Sequence, residues 1–464
     1  MANGRRALTK CIVLLASLVL AACGGTVTPS GTPGTAPAGS SGGASSPAAG
    51  GEKITLTVEM SVYVEAPHKA AFDALKAAYE KAHPNITIVY RGAAYADFWD
   101  KLTTEISAGT EADIVQLQDG GARYASYAAL RPGDTGAFVN LDPYIKGTKW
   151  ENVLVGQKDL VYNGHYIGIS DYAWGARGIF YRKSQLQAAG IDPSSIKTID
   201  DLQSAMIKLT KPGNPQQYGL CATLSTHPFV ANEWETTLAR PMAGGVFFKG
   251  EQGPFTPDKL IVDSPDVVAA AQLWQDWVYK DKVSPTGQEK AGVRDLFWAG
   301  RCAFNIDGPW FTGMTAAKDP ALLSDIGIIA TPAVNYNGKL RYQPGDTYAI
   351  TNLISSKSKH PDEAWKFLEW MLTPEAQQLV ALSGMIPSNT EYSKSPNYVS
   401  AEPLNSLFPQ FLAGYAPGMS DPNIPQAAAL NTIMVEAAQA MFINGAPVQE
   451  TLHNARIQME AALK

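Results

Sequence analysis

The stretch from Ile54 to Leu117 reads strand, helix, strand, helix, strand, and this alternation constrains the fold more than any other feature of the chain. Ile54 to Glu59 alternates apolar and polar positions and is rich in β-branched residues, the pattern of a half-buried strand. Pro67 opens a helix on which Phe72, Leu75, Tyr79 and Ala82 share one face. His83-Pro84 stops it, and Ile86 to Tyr90 is the next strand. Tyr95, Phe98, Leu102 and Ile106 mark a second amphipathic helix closed by Gly109, and Asp113 to Leu117 is a third strand. Such a run implies a parallel sheet with helical crossovers. Later segments repeat the helical period, with Val267, Leu273, Trp274 and Trp277 on one helix and Ala364, Phe367, Leu368 and Met371 on another. A further helix starts at Thr373-Pro374-Glu375 and ends near Gly384. The fold class is α/β, and because one sheet rarely organises about 400 residues, two lobes are expected.

The N-terminus says where the chain works. Arg5, Arg6 and Lys10 precede an apolar run from Cys11 to Ala22, too short to span a bilayer and the right size for a secretory signal. Leu20-Ala21-Ala22-Cys23 looks like a bacterial lipobox, so residues 1–22 are expected to be removed and Cys23 to carry lipid. Residues 24–51 hold nine Gly and four Pro with no aromatic or charged residue. That composition cannot offset chain entropy by burial, so residues 23–52 read as a lipidated cysteine and flexible tether. A globular body is then held at the outer face of the cytoplasmic membrane, on the cell surface or in the periplasm.

Charge and composition remove other classes. The net charge of −6 and pI near 5.6 argue against a nucleic-acid binder. With 45% apolar residues the chain can bury a large core, yet no apolar run is long enough for a spanning helix. Cys221 and Cys302 both sit in strand-like stretches, and an exported body could join them or keep two buried thiols. No His-Glu-x-x-His, Gly-x-Ser-x-Gly or phosphate-binding glycine loop is present, and Ser194–Lys197 and Ser356–Lys359 lack the companion motifs of a Ser-x-x-Lys enzyme. The six histidines have no metal-ligand spacing, and His83, His227 and His360, each before a proline, read as turn or helix-end residues. No catalytic residue, metal or cofactor is expected.

The segment Trp298-Ala-Gly-Arg-Cys-Ala-Phe-Asn-Ile-Asp-Gly-Pro-Trp310 resembles one in extracellular solute-binding proteins of the large carbohydrate-binding family, with its maltose- and glycerol-phosphate-binding members. Asn163-Gly-His-Tyr-Ile-Gly-Ile-Ser, Gly178-Ile-Phe-Tyr-Arg-Lys, Ala189-Gly-Ile-Asp, Gly244-Gly-Val-Phe, Gly345-Asp-Thr-Tyr-Ala-Ile, Gly384-Met-Ile-Pro-Ser and Pro422-Asn-Ile-Pro-Gln follow in the family's order. The resemblance implies a two-lobed periplasmic-binding-protein-like fold of type II with a hinge of crossover strands. By analogy, lobe 1 is residues 53–173 plus 343–397 and lobe 2 is 174–342 plus 398–464. It implies the substrate-binding lipoprotein of an ABC importer, monomeric and non-enzymatic, that hands a sugar to membrane permease subunits. A secreted carbohydrate-active enzyme and a ligand-sensing surface lipoprotein are the alternatives.

A sugar needs flat aromatic surface against its C–H faces and polar groups around its edge. Trp310, on the turn after Asn305-Ile-Asp307, matches the family's stacking position. Trp234 falls where relatives place a cleft aromatic, although a helix-core role fits equally. Tyr172 and Trp174 flank the crossover strand and are expected to face the cleft. Gln118 and Asp119 follow the third strand and offer edge hydrogen bonds. Tyr63, Glu65, Asp346 and Tyr348 are further candidates, with Glu65 alternatively a helix cap beside Pro67. Asp307 either binds ligand or satisfies its own turn. Maltose-type relatives carry a tryptophan in the helix after Asn-Ile-Pro-Gln; Asn431 stands there in this chain, so malto-oligosaccharide does not follow from the resemblance.

Overall fold

The computed structural model describes residues 52–117, 123–174, 177–213, 215–341, 348–411 and 422–464. Residues 1–22, Cys23, the tether to residue 51, and Gln118, Asp119 and Asp346 lie outside the described residues, as do the side chains of Tyr172, Trp174 and Tyr348. Among the described residues no helix is long and apolar enough to cross a membrane.

The alternating N-terminal stretch folds as its periodicity requires. Strand β1 (Ile54–Met60) is followed by helix α1 (Ala66–Ala82), strand β2 (Ile86–Arg91), helix α2 (Tyr95–Ala108) and strand β3 (Ile114–Leu117). β1 lies between β2 and β3 and is parallel to both. Gly109 ends α2 with φ 70° and ψ 34°, the left-handed conformation that only glycine adopts without strain. Phe98, Leu102 and Ile106 are fully buried on the inner face of α2, and Tyr95, at the same helical period, packs half-buried against the edge of that core.

The first sheet is not parallel throughout. Its order is 386–387, 168–174, 348–354, β3, β1, β2, and strands Tyr348–Ile354, Gly168–Trp174 and Ile386–Pro387 pair antiparallel. The chain leaves this sheet at Trp174 and enters the second at Gly178. The second sheet has the order 326–330, 178–182, 302–307, 218–221, with strands Tyr218–Cys221 and Cys302–Asp307 parallel. Each sheet thus has a crossover side and a remote edge; β2 is the remote edge of the first and 218–221 that of the second.

Each sheet has its own core. Phe72, Leu75 and Tyr79 of α1 pack with Phe367 and Leu368 of the helix Pro361–Met371 under the first sheet. Trp234, Trp274, Trp277 and the C-terminal helices Ala427–Phe442 and Val448–Ala462 build the core of the second. Ser264 and Thr373 cap the helices Pro265–Tyr279 and Pro374–Ala381, which fixes their starts by accepting backbone N–H groups. Cys221 and Cys302 are joined by a disulfide with Cα atoms 5.7 Å apart, within the usual range, so the two parallel strands of the second sheet are also linked covalently.

Candidate functional site

In an open α/β sheet the loops after the strand carboxyl ends carry function, and here those of both sheets meet. From the first lobe come the turn after β1, with Tyr63 and Glu65, and the start of α2, with Tyr95. From the second come Arg177, which opens strand Gly178–Arg182, the loop after 218–221 with His227 and Phe229, and the Gly308-Pro309-Trp310 turn after 302–307.

Trp310 begins the helix Trp310–Lys318. Its ring lies across Gly308, where a Cβ would come within 1.8 Å of it, so any side chain at 308 would displace the indole. Although it is carried by the second lobe, the indole joins the apolar cluster of the first, with Met60, Val62 and Ile350, and is 8% exposed. It therefore sits at the junction between lobes rather than deep in either. The guanidinium carbon of Arg177 lies 4.6 Å from the Phe229 ring centroid and 5.8 Å from that of Trp310, both within cation–π range.

Beneath these rings lies a buried charge network. Lys290 Nζ donates to Glu233 Oε1 at 2.9 Å and to the Ile306 carbonyl at 2.8 Å, and lies 3.4 Å from Asp307 Oδ2. Arg294 grips Asp307 with Nε to Oδ2 at 2.9 Å and Nη2 to Oδ1 at 3.2 Å. Glu233 also accepts from the Thr223 N–H and hydroxyl, each at 2.8 Å. Burial alone would raise the Asp307 pKa, but Arg294 and Lys290 hold it well below the usual carboxylate range. With Gly308 N–H on Oδ1 as well, both Asp307 oxygens are occupied by the protein itself. Asp307 thus satisfies its own turn, one of the two roles read from the sequence.

Glu65 occupies the cap position of α1 without capping it through its side chain. Its carboxylate lies 3.3 Å from His68 Nδ1. Burial would raise its pKa, but the adjacent His68 ring and, more weakly, Arg294 bring it below the ordinary value. The Tyr63 hydroxyl donates to Asp73 Oδ1 at 2.5 Å, and its ring stacks on Tyr90 at 5.0 Å. That hydroxyl is committed to its own lobe.

Trp234 corrects the expectation of a cleft aromatic. It is 0% exposed and packs edge-on against Phe442, 5.6 Å away, inside the second core. Phe229, at the other end of the same short helix Phe229–Trp234, is the ring that reaches the junction between the lobes, under Arg177 and against the apolar cluster of the first lobe. His227, read from sequence as a turn residue, is a cleft residue too: its ring is 4.8 Å from Phe229 and 5.5 Å from Tyr95. Burial, with Lys290 and Arg294 nearby, pushes its pKa down to about 4. Sequence did carry one unused signal for the network, since Lys290 and Arg294 are four apart on the helix Lys290–Trp298 and so share a face. For Tyr95 and His227 there was none. Of the remaining candidates, Tyr172 and Trp174 lie opposite Ile350 and Tyr348 in the crossover strands. Among the described residues no group of three or more His, Cys, Asp or Glu could hold a metal.

The family described as bacterial extracellular solute-binding protein matches residues 65–378. An uncharacterised ABC transporter extracellular-binding protein of Pyrococcus horikoshii is 27% identical over 433 residues, covering 88% of this chain and 90% of its own length. An ABC transporter solute-binding protein of Thermotoga lettingae, solved with α-D-tagatose, superposes with a TM-score of 0.74 at 20% identity, covering 89% of this chain and 100% of that one. The maltose-bound MalE3 of T. maritima superposes with a TM-score of 0.74 at 17% identity, over 88% and 99% of the two chains.

Proposed function

The chain belongs to the bacterial extracellular solute-binding proteins, and from that premise we propose that it captures a mono- or oligosaccharide between its lobes and delivers it to an ABC permease. The observation that carries this reading is the meeting of Trp310, Phe229 and Arg177 of one lobe with the Tyr63–Glu65 turn of the other. Flat rings suit the C–H faces of a sugar, and the charged groups at the margin suit its hydroxyls. The tagatose and maltose bound by the two structural neighbours support the same ligand class.

The buried network gives this lobe a rigid face, so the rings need little ordering when ligand arrives. Trp310 is the stacking residue, with Phe229 beside it; Tyr172, Trp174, Gln118, Asp119, Asp346 and Tyr348 complete the cleft in this reading. Ligand favours the closed arrangement because only there do both lobes touch it. Residues 53–173 plus 343–397 and 174–342 plus 398–464 form the two moving bodies, and a monomer suffices. Lipid on Cys23 retains the protein at the membrane, close to its permease.

A panel of monosaccharides, oligosaccharides and polyols, screened by the shift in melting temperature of the purified protein, tests the reading. At a concentration 100 times Kd a true ligand adds about 2.7 kcal/mol of stability, an easily measured shift. No shift with any member of the panel refutes carbohydrate capture. Partition of the membrane-bound protein into detergent, lost on Cys23→Ser, tests the anchor.

A further inference from the structure

The residues singled out for ligand do not exhaust the contacts between the lobes. Tyr95, at the first turn of α2, and His227, after strand 218–221, stack across the cleft with centroids 5.5 Å apart and planes 13° from parallel. Both follow remote-edge strands, β2 in one sheet and 218–221 in the other, so the pair sits on the side of the cleft farthest from the crossover. A contact there acts at the end of the lever arm, where lobe opening separates atoms first.

The pair is not an isolated touch. Trp99 backs Tyr95 edge-on at 5.4 Å, and Tyr127 lies 6.4 Å behind Trp99. On the other side, Phe229 lies 4.8 Å from His227 and 6.0 Å from Tyr95. The Phe229 N–H donates to His227 Nδ1 at 3.2 Å, which fixes the imidazole plane for stacking. A column of rings thus runs from the first core to the proposed sugar platform, and opening the lobes must part Tyr95 from both His227 and Phe229.

We propose that Tyr95 and His227 form a latch that holds the lobes shut over the ligand and sets the rate at which it leaves. This rests on the carbohydrate-capture reading for its kinetic consequence, though not for its structural one. Tyr95→Ala should raise the ligand dissociation rate about tenfold, the worth of a well-placed ring pair, with association changed less than about twofold. His227→Ala should raise it in the same direction, and the double variant no further than Tyr95→Ala alone, because His227 acts through the Tyr95 ring. Tyr95→Phe keeps the ring and should release ligand at the wild-type rate.

Stopped-flow release of the best sugar from the screen measures these rates. Unchanged dissociation in Tyr95→Ala, or release from Tyr95→Phe as fast as from Tyr95→Ala, overturns the latch. Amide hydrogen exchange of the ligand-free protein decides independently of any sugar. Faster exchange in Tyr95→Ala at residues 95–99 and 227–231 together, with an unchanged melting temperature, supports the latch; wild-type exchange at both overturns it. Failure of every sugar to bind would sink the functional reading and leave that exchange result standing.

Discussion

Replacing Lys290 by methionine probes the network that shapes the second lobe's face of the cleft. The substitution keeps much of the side-chain volume and removes four interactions, with Glu233 Oε1, the Ile306 carbonyl, Asp307 and the face of the Phe229 ring. Asp307 retains its two bonds from Arg294, and Glu233 retains its two from Thr223. Glu233 is nevertheless fully buried, so it becomes a carboxylate with no compensating cation at contact distance. Breaking a buried pair from one side costs about 3–5 kcal/mol. With a urea slope of about 2–3 kcal/mol/M, the unfolding midpoint should fall by about 1–2.5 M. Trp234, Trp274 and Trp277 all lie in this lobe's core, so tryptophan fluorescence follows the relevant transition. Lys290→Met combined with Glu233→Leu removes both charges and should recover most of the loss, because two apolar groups leave nothing buried and unpaired. A midpoint for Lys290→Met within about 0.2 M of wild type, corresponding to about 0.5 kcal/mol, would refute the reasoning.

Other consequences are as direct. His227 is held neutral in the folded state with its pKa near 4, below the 6.5 of a free imidazole, so its contribution to stability is complete above pH 6.5 and is lost as pH falls from 6.5 towards 4. Urea midpoints across that range should fall more steeply for wild type than for His227→Gln, and equal slopes would contradict the assignment. Trp234→Ala should cost about 3–5 kcal/mol of stability while the surviving folded protein binds ligand with wild-type affinity, because that ring fills the core rather than the cleft. Calorimetry showing a large affinity loss would return it to the site. Cys221 and Cys302 close a loop with a sequence separation of 81, so converting both to alanine should cost about 4 kcal/mol in chemical denaturation.

Local pattern carried much of the fold. The period of Phe98, Leu102 and Ile106, the caps at Ser264 and Thr373 and the proline at the head of α1 are short-range signals, and the elements they specify are present. The antiparallel strands 168–174, 348–354 and 386–387 were beyond such reasoning, because they pair across more than 170 residues of chain. At the site, the Gly-Pro-Trp turn was legible, since Gly308 must be bare for the indole to lie over it. The choice between Phe229 and Trp234 was not. Five helical steps separate their directions by about 140°, so one had to face the core and the other the cleft, and periodicity alone could not say which. Nor could it pair Asp307 with a helix that precedes it, or bring His227 to Tyr95, since both depend on how separate elements dock.

The central claim is that a hydroxylated guest lies against the Trp310 indole between the lobes. Titration calorimetry of wild type and Trp310→Ala with the best sugar tests it most directly. Loss of a stacked ring should weaken binding at least tenfold, about 1.4 kcal/mol, with the fold intact by circular dichroism. Wild-type affinity in the variant would contradict the account.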